Sequence, residues 1–321
     1  MKQFLLCLIS FLIALSSSAQ INTTTVDVAA PKQNKKPQAP YDSTDNFPTN
    51  NAKYSYIGQE VYFQAPYDRS IGYVGCLRPR GGTYEINELE GHYFIVDDIT
   101  DNTGAMSEFE PYVVVLHDKD NPGRTLRKAM DFDHERTFRF HAPWITVSYY
   151  NYLKNLIGSK YYCLQKELVR KGYYGYEEKF CLNDHDIYTG EEIEINRTDL
   201  WELIELTTHS QTKRLIAIFK NSKGQTTFSD IMDIGITPRG SYYLLPKKEY
   251  DRLTKKYGSY YTKMILNDQY AVGMPKELFL LLKGNPYEIN SSSYNQQWIY
   301  GSSSSGYDYY YFKNGKLTGW N

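Results

Sequence analysis

Beyond its first residues the chain has no apolar run of the length, about 20 residues, that a membrane-spanning helix needs. It also lacks an excess of charge of either sign: 36 Lys and Arg stand against 37 Asp and Glu, for a formal net charge of −1. That balance removes the electrostatic footprint expected of a nucleic-acid binder or a protein held on an anionic membrane. Cysteine is scarce, with 4 in the chain and no C-x-x-C pair, which excludes a dense disulfide framework. The common catalytic signatures are missing as well. The stretch Pro79-Arg80-Gly81-Gly82 is not a phosphate-binding loop, and no G-x-S-x-G elbow occurs. No cofactor is implied.

What is present begins with MKQFLLCLISFLIALSSSAQ. Lys2, an apolar run from Phe4 to Leu15 and small residues ending at Ala19 are the pattern of a secretory signal, with cleavage expected after Ala19. A lipoprotein signal places a cysteine directly after the apolar run, whereas Cys7 lies inside it, so a periplasmic or secreted protein without a lipid anchor is expected. Cys76, Cys163 and Cys181 remain, and in an oxidising compartment they allow at most one internal disulfide. Burial as small apolar side chains is the plainer reading. Residues 20–53 are rich in Thr, Asn, Lys and Pro and poor in large apolar groups, which predicts a flexible tether.

Two stretches then repeat each other. Ile57-Gly58, Val61-Tyr62, Cys76-Leu77, YEINELEGHYFIVDDI and PYVVVLHDKDNPG recur in order as Ile157-Gly158, Tyr161-Tyr162, Cys181-Leu182, IEINRTDLWELIEL and RLIAIFKNSKG, roughly 100 to 110 positions later. Asn87 matches Asn196, and Asp131 matches Asp233. Each unit reads as short strands separated by Asn, Pro and Gly, suited to a small bent barrel that closes its own edges. The pattern resembles secreted bacterial SH3-like modules, with the first predicted over residues 54–145 and the second over 146–240.

From Pro246 the period changes. KKEYDRLTKKYG is a helical pattern stopped at Gly258, SYYTKMILNDQ a second, and PKELFLLLKGNP a third that begins near Pro275 and stops at Gly284. Strands follow at 287–290, 296–300 and 307–312, with Asn314-Gly315 turning into a short last one. The ordered series Gly273-Met274, a helix, Gly284-x-Pro286, Gln297-Trp298-x-Tyr300 and Phe312-x-Asn314-Gly315-Lys316 resembles the BamE-like (SmpA/OmlA) modules of Gram-negative envelopes. The resemblance implies two helices packed on a three-stranded antiparallel sheet over 241–321, and a non-catalytic role in contacting other envelope proteins. Members of that family are typically lipoproteins, so a part in outer-membrane barrel assembly is not carried over.

Candidate chemistry is sparse. The histidines are His92, His117, His134, His141, His185 and His209. The run Asn183-Asp184-His185-Asp186 cannot turn all its side chains on one ion, and His134 and His141 stand seven apart rather than the four that one helical face requires. Both read as surface segments, the second as a connecting strand, RTFRFHA. Asp118 and Asp120 lie two apart, but Pro122 occupies the third position of a calcium loop, leaving a hairpin turn. A cysteine hydrolase would pair Cys163 or Cys181 with His141 or His185; against it, both cysteines fall at repeated strand positions instead of a helix N-terminus.

The 32 tyrosines are the remaining signal, since tyrosine serves core and interface alike. The expectation is a non-enzymatic adaptor that docks another envelope protein through its C-terminal sheet, with Trp298, Tyr300, Tyr309 and Tyr311 as partner contacts. The alternative is a binder of cell-wall glycan or peptide through the SH3-like pair.

Overall fold

The computed structural model describes residues 40–64, 73–79, 81–104, 107–137, 144–164, 166–171, 175–234, 242–302 and 306–321. The expected signal segment, residues 20–39 of the expected tether, and His141 lie outside them. The described residues form one compact unit.

Two strands, β4 (Tyr93–Asp101) and β11 (Leu200–Thr208), bury side chains at the same uneven interval: Phe94, Val96 and Ile99 in one, Trp201, Leu203 and Leu206 in the other. Strict alternation would bury every second residue, so each strand holds one residue too many. The ladders place it: Val96 faces Leu116 and Asp98 faces Val115, skipping Asp97, while Leu203 faces Phe219 and Glu205 faces Ile218, skipping Ile204. The backbone N–H of Gly58 donates to the Val96 carbonyl beside the first bulge, and that of Gly158 to Leu203 beside the second, both at 2.8 Å. Both glycines sit at positive φ, +83° and +89°, where a Cβ would be strained. The repeated Ile-Gly thus marks a tight turn that docks on a bulge.

The same comparison extends through both units. In the first, β1 (Glu60–Phe63) is followed by the hairpin β2 (Tyr73–Leu77) and β3 (Thr83–Glu85), the short helix α1 (Ile86–Leu89), and the meander β4, β5 (Tyr112–Asp118) and β6 (Thr125–Met130). A short helix α2 (Phe132–Thr137) leads to β7 (Trp144–Thr146), which returns to pair with β1. Helix α3 (Val147–Lys154) then opens the second unit. There β8 (Lys160–Cys163), the hairpin β9 (Lys166–Lys171) and β10 (Gly175–Phe180), the meander β11, β12 (Leu215–Asn221) and β13 (Thr226–Asp230), and a 3-10 turn at Ile231–Asp233 precede β14 (Leu244–Pro246), which pairs with β8. The sheet orders correspond: β3-β2-β6-β5-β4-β1-β7 and β13-β12-β11-β8-β14, with β9 and β10 forming their own two-stranded sheet.

The C-terminal part contains α4 (Lys247–Tyr257), α5 (Ser259–Leu266) and α6 (Lys276–Lys283), then β15 (Glu288–Ser291), β16 (Asn295–Ser302), β17 (Gly306–Lys313) and β18 (Lys316–Trp320) in one antiparallel sheet, in that order. The three helical patterns and the short last strand read from the sequence are all present, one helix and one strand more than the two and three that the resemblance implies. Gly258, at φ 83° and ψ 160°, breaks what one longer helix would be into α4 and α5, and the Asn314-Gly315 turn delivers a full fourth strand.

Two further expectations are corrected. Residues 40–53 are ordered rather than part of a tether: Phe47 is buried, and buried Asn46 donates to the Trp144 carbonyl at 2.9 Å while accepting from Thr146 N at 2.8 Å. A 3-10 helix follows at Asn50–Tyr56. Arg136 and Thr137, expected in a connecting strand, close α2. The β units share one apolar cluster, which runs from Phe47 through Trp144, Tyr149 and Trp201 to Leu244. Polar bonds join them too: buried Gln64 accepts from Leu215 N at 3.1 Å, and the Tyr149 hydroxyl donates to the Ile234 carbonyl at 3.2 Å. A second core is built around Leu253, Ile265, Leu278, Phe279, Trp298 and Phe312 of the C-terminal part and takes in Tyr162 and Leu164 from the second β unit.

Candidate functional site

In the C-terminal sheet, alternation along β17 turns Tyr310 and Phe312 toward the helices and Tyr309 and Tyr311 away. The register places Trp298 opposite Tyr310, and residues directly opposite share a face. Trp298 and Tyr300 therefore point into the core, and both are withdrawn from the expected partner contacts. Trp298 is 5% exposed, with its ring 4.5 Å from that of Phe312 and 6.2 Å from that of Phe279. The Tyr300 hydroxyl donates to the Gly284 carbonyl at 2.8 Å, tying β16 to the end of α6, and burial raises its phenol above the ordinary range. Phe279 sits at the centre, its ring centroid within 6.2 Å of those of Tyr270, Trp298, Tyr300, Tyr310 and Phe312.

The opposite face has different chemistry. Asn290 Nδ2 donates to Gln297 Oε1 at 3.3 Å, Gln297 Nε2 to the Tyr311 hydroxyl at 3.4 Å, and that hydroxyl to Asn321 Oδ1 at 3.4 Å. This row of neutral amides and a phenol crosses the sheet from β15 to the residue after β18. It borders an open hollow of about 580 Å³ to which Ser292, Asn295 and Thr318 also contribute. Tyr309 is half-buried, while Tyr307 and Tyr311 are exposed.

The two edges of this sheet are treated differently. Along β18, Gly273 N donates to Leu317 O at 2.7 Å and Leu317 N to Met274 O at 2.9 Å, so the segment before α6 covers that edge. Along β15 all four residues are exposed, and among the described residues its outer edge pairs with no strand. Tyr287, Ile289 and Tyr294, on and beside β15, are 72%, 47% and 75% exposed. Sequence reasoning missed these three because Tyr287 and Ile289 lie in a short run whose composition fits a buried strand equally well.

Above the sheet, Glu277 of α6 joins α4. Its carboxylate accepts from Arg252 at 2.8 Å, from Lys256 at 2.6 Å and from the Tyr257 hydroxyl. Partial burial pushes its pKa up, but the bonds from Lys256, Tyr257 and Arg252 outweigh that and hold it down at about 2.

The other polar clusters serve the fold. Asp186 accepts from Tyr188 N and Thr189 N and, at 2.7 Å, from Thr226 N, binding its loop to β13; these bonds lower its pKa. His185 bonds its neighbour Asp184 at 2.7 Å. Buried Asp118 accepts from Asp120 N, Asn121 N and Arg124, and so organises the β5–β6 turn. Among the described residues no three His, Cys, Asp or Glu side chains gather as a metal site. Burial pushes the Cys76 thiol up to about 12, far from a nucleophile's range. Cys163 is buried, and its Sγ lies 3.6 Å from that of half-buried Cys181. A scan against protein-family models and searches of curated proteins and solved structures give no match for the chain.

Proposed function

We propose that the chain is a non-enzymatic, exported cell-envelope adaptor that docks an extended segment of a partner protein along β15. The open edge carries the reading: a short strand, exposed along its whole length, with Ile289, Tyr287 and Tyr294 exposed on and beside it. Natural sheets blunt such edges with charge, proline or a covering segment, and β18 is covered in that way. β15 has only Glu288, so its backbone groups are available for strand addition and its side chains for selectivity. The signal-like first residues support export, and the motif series from Gly273 to Lys316 supports kinship with BamE-like modules. The return of β7 to β1 and of β14 to β8, with a hairpin inserted after the first strand, supports the SH3-like reading of the β units.

A photoreactive amino acid placed at position 289, with position 263 on the exposed face of α5 as control, tests this in intact envelopes. One adduct of defined mass at 289 is expected, absent at 263 and lost when Tyr287→Lys is added to the chain that carries the probe at 289. Equal labelling at both positions would sink the proposal.

The amide and phenol row favours a second reading, a glycan binder, because neutral amides and an exposed ring suit a ligand rich in hydroxyl groups. Co-sedimentation with purified cell wall that Tyr311→Ala abolishes and Ile289→Lys leaves intact would select it over the adaptor.

A further inference from the structure

We infer that Cys163 and Cys181 are a disulfide pair that closes the base of the β9–β10 hairpin. Cys163 is the last residue of β8, and Cys181 directly follows β10. Between them the hairpin runs out and back, with Lys166 opposite Phe180 as the innermost rung. The two sulfurs already stand 3.6 Å apart, so bonding at about 2.05 Å needs an approach that side-chain rotation at two adjoining strand ends supplies.

The first unit shows the pairing is particular to the second. Val61 and Tyr161 hold corresponding places, facing Thr146 of β7 and Pro246 of β14, so the counterpart of Cys163 is Phe63. Cys76, which the sequence repeat matches to Cys181, is fully buried in the core cluster that also holds Phe63. One unit fills this position with an aromatic ring, the other with two thiols in contact.

Oxidation requires a disulfide reagent, either a small molecule such as oxidised glutathione or an exchange protein. Cys181, the more exposed, attacks as thiolate; its sulfur bonds to one reagent sulfur, and the reagent's own S–S bond breaks to release one thiol. Cys163, deprotonated, then attacks Cys181 Sγ, the new S–S bond forms, and the second reagent thiol leaves. The chain loses two electrons and two protons, and the reagent is reduced to two thiols. Formation inside the organism rests on the export proposed above; the pairing itself does not.

The test uses the full mature chain, reduced and then equilibrated with oxidised glutathione at neutral pH, blocked by alkylation, and digested without reductant. Peptides joined through Cys163 and Cys181 are expected in nearly all molecules, with Cys76 alkylated only after unfolding. Cys163→Ser should stop at a Cys181–glutathione adduct. Two alkylated cysteines at 163 and 181, or a bond to Cys76, would overturn the inference. If the pair forms in vitro but is found as two thiols in protein taken from its native compartment, export fails and the pairing stands.

Discussion

Replacing Phe279 by alanine should unfold the C-terminal core while leaving the β units folded. Phe279 is fully buried, and its ring meets five other aromatic rings, from the segment before α6, β16 and β17. A buried Phe→Ala change costs about 3–5 kcal/mol, from lost transfer energy and the cavity left behind. Edge-to-face pairs add about 0.5–1.5 kcal/mol each beyond area, but they lose geometry together and do not sum. A total of about 4 kcal/mol is the working figure, equivalent to roughly a thousand-fold in an opening equilibrium. Segment-resolved hydrogen exchange should then show protection of α6, β16 and β17 falling by roughly that factor, with β4, β5, β11 and β12 little changed, because Val96, Leu116, Trp201 and Phe219, which anchor them, lie in the other core. Equal loss in both regions would refute the two-core reasoning. A loss below about 1 kcal/mol would show that the neighbouring rings collapse into the space.

Glu277→Gln should destabilise the C-terminal part. The folded carboxyl lies near 2 against an ordinary 4.5, so its stabilisation is present above about pH 4.5 and is lost as pH falls through about 2. Full linkage is about 3 kcal/mol, but Glu277 is 35% exposed and water screens its ion pairs, so about 1 kcal/mol is expected. Urea unfolding at pH 7 and pH 2.5 checks it: the difference between wild type and variant should shrink at the lower pH. Gly258→Ala should cost about 1–3 kcal/mol through backbone strain alone, since nothing lies within 4 Å of an added Cβ; a thermal midpoint equal to wild type would contradict the assigned φ and ψ. Asn46→Ala leaves the Trp144 carbonyl and the Thr146 N–H without their buried partner, a loss of about 2–3 kcal/mol, and should admit protease between residues 40 and 50, where the wild type resists.

Features set by neighbours along the chain were readable before the fold was known. HYFIVDDI and LWELIEL fall in strands, and Gly258 and Gly284 stop helices at positive φ because only glycine adopts that geometry cheaply. Alternation in YDYYYFK separates two sets of side chains, yet one strand alone does not say which set faces inward. The register of Trp298 against Tyr310 decides that, and it comes from another strand. Residues 40–47 were misjudged for a related reason. Their composition is polar, but the bonds that order Asn46 reach residues about a hundred positions away, beyond any local window. The open edge at β15 is likewise a property of the assembled sheet: β15 and β18 are both short strands, and only the path of Gly273–Pro275 distinguishes them.

The placement of β7 and β14 changes where this chain can be cut. Residue 240 was the expected boundary between the second β unit and the C-terminal part, but β14 lies beyond it and is hydrogen-bonded to β8, with Leu244 opposite Cys163 and Leu245 opposite Tyr162. Leu244 is buried in the first core and Leu245 in the second, so one three-residue strand serves both, and α4 follows with no linker. A chain ending at 240 should leave β8 as a bare edge and remove Leu244 from its core, a loss of about 3 kcal/mol from the leucine alone. A chain ending at 246 restores the strand while still lacking every helix and strand of the C-terminal part. Unfolding in urea, followed through Trp144 and Trp201, separates the two. The longer fragment should show a cooperative transition at clearly higher urea, and identical midpoints would mean that β14 is held by the C-terminal part without contributing to the β unit it completes.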